Sequence, residues 1–429
     1  MQNWRSIIVT LAAIGAVYAM SHTPIPFIST SLLGDDGIRH QFSVGVLGIY
    51  PALFAFVGIE LLALILPPLR AWRLGGLTGR RRLTQLAFAA TALLAFYQSS
   101  QIVGVLATTT IGGQAFIEVP LRRFEIVGIL TLMGGTALSL FAAAAITLWG
   151  IGNGVLLIMF AQLGQDLASV FTKYVTETQS NTPESNFVGV FLLIVAIAAV
   201  FYAVTHEPEA PARDGQGPLS LQTPGLPTST LRVSLIYLFY LWPSLASLVP
   251  VGSLSRALGE GLVTVFFGVL GYRVFNSEKA IARDLQGEAS LDASSSHSRR
   301  RFYYVLGALG CATLFTSMQA SGAVLLGALE IEGVLILSAI VAEVRGQWSF
   351  SQRHPEYVCL IAMDNVHLAE VFRAQLARDG IETFVQGAFY RRQVFLLNPL
   401  VKLRLFVPKA AAQRGENILR LRERTGHYL

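Results

Sequence analysis

The sequence predicts an all-α polytopic membrane protein of ten transmembrane helices followed by a small cytoplasmic α+β domain. Three observations carry that prediction. Hydrophobic residues make up 53% of the 429 and charged residues only 14%, against about a quarter charged in soluble domains. With a mean hydropathy of +0.55, such a chain lacks the charge to cover a water-facing surface. Apolar stretches long enough to cross a bilayer, about twenty residues each, recur up to about residue 345. Beyond His354 the pattern changes to short strands and amphipathic helices with interspersed charge. The net charge of +6 is too mild and scattered for a nucleic-acid binder, and Cys311 and Cys359 alone cannot form a disulfide framework.

The ten candidate spans fall at 6–21, 43–67, 83–107, 125–147, 151–172, 187–204, 232–251, 259–276, 302–320 and 323–343. The first reads as a retained span, not a cleaved signal peptide: Arg5 is a weak basic flank and no small-residue cleavage site follows Met20. Its exit, Ser21 to Pro26, carries two prolines that stop a helix. Orientation follows the basic residues beside the spans. Arg70, Arg73, Arg80, Arg81 and Arg82 follow span two, and Arg273, Lys279, Arg283, Arg299, Arg300 and Arg301 follow span eight. Loops of the opposite parity are poorer, with Arg122 and Arg123 offset by Glu118 and Glu125. With an even number of spans, both termini are therefore expected in the cytoplasm.

Residues 205–230 hold five prolines among Gly, Ser and Thr and read as a flexible cytoplasmic loop; the Ser-rich stretch 286–301 reads as a second. The tail, 354–429, reads as β-α-β-β-α. Tyr357–Met363 is expected to be a buried strand. A helix capped by Asp364 presents Leu368, Val371, Phe372 and Leu376 and stops at Gly380. Ile381–Val385 forms a strand, Val401 to Val407 alternates as a half-buried strand, and a helix covers about 410–424. The tail carries 11 Lys+Arg against 7 Asp+Glu. It resembles a family of small bacterial signal-transducing domains built around strand–helix–strand with a break like Gly380-Ile381.

Little in the chain points to bond-making chemistry. None of the seven histidines lies inside a span, no pair has zinc-ligand spacing, and no phosphate-cradling Gly-Lys loop exists. The reading is therefore no enzyme, no cofactor and no metal. Intramembrane acids are expensive. Asp166 and Glu343 are expected near span ends, reaching the interface. Glu60 has apolar turns on both sides, so it needs either a water-filled cavity or a partner such as Gln98 or Gln101.

Four ordered anchors carry a more specific resemblance. They are Ile25-Pro26 at the first exit; Ser43 to Pro51 with the run to Pro67-Pro68, Gly79 to Arg82 and Ala95 to Ser99; Gly150-Ile151-Gly152-Asn153-Gly154 with Leu157 to Phe160; and Phe266-Phe267 through Tyr272, Asn276 and Ala282. Together these resemble SecY, the central subunit of the bacterial protein-conducting channel. The resemblance implies two pseudo-symmetric five-helix halves, 1–175 and 176–350, around an hourglass pore, with a third unit at 354–429. It implies an apolar pore ring of Ile49, Leu53, Val155, Met159 and Ile336, with Leu241, Trp242 or Leu245 as the seventh-span member. Gln98 matches the polar position of a lateral gate that opens toward membrane lipid, and Gly152, Asn153 and Gly154 form the motif that opens span five.

Polypeptide substrates and small SecE- or SecG-like subunits follow as expected partners. The pattern departs from the family in several places. Only Phe27–Val46 is left for a plug. Loop 205–230 sets Glu207, Glu209 and Asp214 against Arg213, and Arg299, Arg300 and Arg301 stand on a Ser-rich stretch as the only docking cluster. Ribosome or SecA docking is therefore expected to be weak, with an unidentified partner at the tail. The expectation is a divergent channel paralogue that moves or inserts polypeptides. The rivals are a non-conducting scaffold of the same fold and, behind it, a small-solute transporter using Glu60.

Overall fold

A computed structural model describes residues 2–29, 42–74, 76–111, 114–162, 209–210, 219–220, 331–363, 366–388 and 402–424. Spans six to nine, the seventh-span ring candidates, Asp166, Asp364 and Arg299–Arg301 lie outside those residues. The chain divides into two compact units, Met1–Gln165 and Asp166–Leu429.

The first unit is a helical bundle. Its elements are α1 (Gln2–His22), α2 (Tyr50–Ile65), α3 (Pro67–Leu74), α4 (Gly76–Thr108) and α5 (Leu121–Trp149), followed by a helix over 154–162. Among the described residues three helices are long and apolar enough to cross a membrane: Trp4–His22, Arg81–Thr108 and Leu121–Trp149. Large apolar side chains are exposed along them, including Leu11, Leu93, Val105, Leu130 and Phe141. The second expected span is not one helix. Residues 42–49 are irregular and α2 starts only at Tyr50, because Gly48 holds a left-handed φ of 49° that interrupts helical geometry.

Residues after α1 are sewn to two other segments. Ile25 N–H donates to the Phe42 carbonyl at 2.9 Å, Ser29 N–H to Phe116 at 3.0 Å, and Glu118 N–H to the Phe27 carbonyl at 3.0 Å. A short hairpin of β1 (Thr110–Ile111) and β2 (Gln114–Ala115) leads into that seam. Ile25, Ile28, Leu47, Phe116, Phe124 and Leu132 are buried together beneath it. Both ends of the stretch expected to serve as a plug, Phe27–Ser29 and Phe42–Val46, are thus tied into this seam, and 30–41 lie outside the described residues.

In the second unit, a pair of two-residue strands, β3 (Glu209–Ala210) and β4 (Leu219–Ser220), precedes the last long helix, α6 (Ile331–Arg353). This helix runs on to Arg353, where the sequence reading ended the span at 343. The tail follows as β5 (Tyr357–Met363), α7 (Val366–Arg378), β6 (Phe384–Gln386), β7 (Leu403–Pro408) and α8 (Ala412–Arg424). Its sheet has the order β5-β7-β6 with both pairings antiparallel. Leu403, Leu405 and Val407 alternate into a core with Ala369, Phe372, Leu376 and Leu419 from the helices. β5 is not the buried strand expected: it forms an edge, and Cys359 and Ala362 are exposed. A bulge between Cys359 and Ile361 breaks its register. Helix α7 closes in a Schellman turn, with Ile381 N–H on the Leu376 carbonyl and Gly380 at φ 72°.

Candidate pore ring and the opening of the fifth span

Two helix starts position the residues of interest. At α2, Pro51 sits in the first turn, where a missing N–H costs nothing. The Ile49 carbonyl accepts from Ala52 and Leu53 N–H at 3.1 and 3.2 Å. Ile49 and Leu53, one turn apart, are both fully buried.

The start of the fifth-span helix is built from Gly150 to Gly154, and each residue answers a different demand. Gly152 takes φ 74°, open to glycine at little strain. The Asn153 side chain caps the helix, its Oδ1 accepting Val155 N–H at 3.0 Å and Leu156 N–H at 3.3 Å. Gly154 is needed for approach rather than for turning, since a Cβ there would overlap the Ala143 carbonyl. Its N–H donates to Thr147 Oγ1 at 2.9 Å, and Ile151 N–H reaches across to Thr10 Oγ1 on α1 at 2.9 Å. Thr10 and Thr147 escaped the sequence reading, for a lone threonine in an apolar helix gives no signal. Val155 and Met159 then lie one turn apart and are buried.

The far end of the described helix 154–162 meets the start of α2. A Cβ on Gly48 would overlap the Gln162 amide, so Gln162 rests on the chain one residue before Ile49 and three after Met159. Gln162 was also not singled out from sequence. Gly135 is similarly close to the Val44 carbonyl. The four described ring candidates thus stand on two helices held by glycine contacts. The fifth, Ile336, lies on α6 in the other unit.

Glu60 is buried on α2 with 4% exposure. Its expected partners are out of reach. Phe56 of α2 meets Phe88 of α4 edge to face at 5.1 Å, and the two helices run antiparallel through the short α3. One turn beyond Phe56 is Glu60, and one turn back from Phe88 is Thr84, so these two come level. Gln98 lies about 15 Å from Phe88 in the other direction, and Gln101 is farther still and exposed. Gln98 itself is half-buried on α4. Glu343 is fully buried on α6, and its Oε1 accepts Gly387 N–H of the tail at 2.5 Å.

A model of the SecY family matches residues 43–289, more than half of the chain. The chain belongs to the SecY family. Relatives in this family include the protein translocase subunit SecY of Streptococcus sanguinis, 27% identical over 209 residues that make up 47% of each protein. The Escherichia coli K12 and Bacillus subtilis subunits are 26% and 27% identical over 218 residues. The matched stretch spans about half the length of these curated relatives. Among solved structures, a protein-conducting channel superposes with a TM-score of 0.53 at 15% identity, covering 82% of this chain and 93% of the other. Sec61 from the canine ribosome–channel complex gives the same values. This SecY-family chain has the polytopic α-helical membrane fold, and the family match ends before the tail.

Proposed function

We propose that this SecY-family protein is a protein-conducting channel subunit of the bacterial inner membrane, with ten spans in two halves and both termini in the cytoplasm. Polypeptides pass through it or leave sideways into lipid. Ile49, Leu53, Val155, Met159 and Ile336 form the apolar ring that seals around the passing chain, and Gln98 lies on the lateral gate. It makes no bonds; a partner supplies the driving force, and SecE- or SecG-like subunits brace the halves. The observation that supports this reading best is the contact between two ring-bearing helices at Gly48 and Gln162. A solid bundle has no need to unwind residues 42–49 inside its apolar layer, whereas irregular backbone at membrane depth is tolerated where it lines a cavity or is buried in protein.

The test is electrical. Leu53→Gly with Met159→Gly, in the full chain reconstituted in planar bilayers, should raise ion conductance well above the parent protein. A solid core would lose about 3–5 kcal/mol per site without leaking. A stable, silent double variant would end the channel reading.

A second reading keeps the fold as a non-conducting scaffold whose tail binds partners. It draws support from the folded, basic tail set against the acidic loop 205–230.

A further inference from the structure

The tail is separated from the last helix by only three residues, His354-Pro355-Glu356. A free tether would be longer and richer in Gly and Ser. The first of the three is still held by the helix, with His354 N–H on the Phe350 carbonyl at 2.9 Å.

Helix α6 presents a buried stripe of Ala339, Ala342, Glu343 and Phe350, spaced as one helical face. At one end the Glu343 carboxylate accepts Gly387 N–H, and Gly387 holds φ 85° just after β6. At the other end Phe350 stacks on Phe384 at 5.9 Å and meets Tyr357 at 5.6 Å. The cluster continues from Tyr357 and Phe384 to Phe406 on the central strand. Outside it, Glu382 receives Arg353 at 2.6 Å and His354 at 2.9 Å. These attachments are spread over about 15 Å of helix, so a mount of this kind resists both bending and rotation. A hydrogen bond at full burial adds to the resistance, because parting the surfaces breaks it.

We propose that the tail and α6 move as one rigid body, a lever joined through Glu343 and Phe350, so that a partner seizing the tail acts directly on the last span. The effect on a pore rests on the channel reading, since Ile336 lies two turns before Glu343; the rigid joint does not depend on it.

The joint is tested in the full chain in nanodiscs, with Cys311 and Cys359 replaced by Ser. Spin labels at Arg345→Cys and Asn417→Cys, both exposed positions, report the distance from helix to tail. The parent protein should give one narrow distance distribution. Glu343→Leu with Phe350→Ala should broaden it, while Glu343→Gln, which keeps an acceptor oxygen, should leave it narrow. Hydrogen exchange provides the control. In the double variant the segment 384–388 should lose protection while 403–408, in the tail's own core, keeps it. Loss at both would mean the tail cannot fold away from the helix, which is the same coupling in stronger form. A broad distribution in the parent protein, or a narrow one in the double variant, would overturn the proposal whether or not the chain conducts.

Discussion

At the scale of single residues, the glycines of this bundle do two different jobs, and substitutions separate them. Gly154→Ala would push a methyl into the Ala143 carbonyl, so the apparent Tm of the detergent-solubilised protein should fall by an amount equivalent to about 1–3 kcal/mol. Gly48→Ala suffers twice, from its positive φ and from the Gln162 amide. Removing that amide with Gln162→Ala should recover the steric part and leave the conformational part, about 1–2 kcal/mol. The two changes should therefore be non-additive in a double-mutant cycle; strict additivity would mean Gln162 does not rest on Gly48. Asn153→Ala, losing two capped amides, should cost about 1 kcal/mol, and Asn153→Asp should retain most of the stability. Gly152 and Gly154 are singled out through the resemblance of the Gly150–Gly154 run, to which a tight turn adds a physical reason. Their distinct reasons were not legible there, since close approach to Ala143 depends on a helix packed alongside.

At the scale of elements, periodicity served where one face is buried and failed where a neighbour outside the local segment decides. The alternation of Leu403, Leu405 and Val407 was legible because β7 is central and one-sided. β5 misled because its apolar run suggested burial on both faces, while its edge position and bulge expose Cys359. A maleimide should therefore label Cys359 in the folded protein at about the rate of a free exposed thiol; protection would mean that the edge is covered. The setting of Glu343 was not legible locally for a similar reason: its bond is to Gly387, which lies 44 positions further along the chain. Glu60 was assigned partners by composition, and only the Phe56–Phe88 contact fixes the register that rules them out. The level position of Thr84 predicts that Glu60→Gln, which still donates and accepts, preserves the fold, whereas Glu60→Leu destabilises it by about 1–3 kcal/mol. Equal stability of both variants would show that the buried carboxylate has no polar role.

At the scale of the whole molecule, the central claim is that a SecY-family bundle with an unusual tail still conducts polypeptide. The tail is folded around its own core, and the arginines at 299–301 stand on a Ser-rich stretch. Changing Arg299, Arg300 and Arg301 to Gln should therefore leave ribosome cosedimentation at physiological salt unchanged, whereas a chain ending at Gln352 should lose whatever binding the full chain has. Equal, strong binding by the full-length and shortened chains would show that the loops still dock. Conduction itself is tested most directly by photocrosslinking. A crosslinking probe placed at Val155 or Met159, in membranes holding an arrested nascent chain, should capture that chain; a control probe at the exposed Leu130 should not. Adducts at the two buried positions alone are the result predicted. No adduct at either position, in a protein shown to be folded and to have engaged the nascent chain at its cytoplasmic side, would contradict the channel.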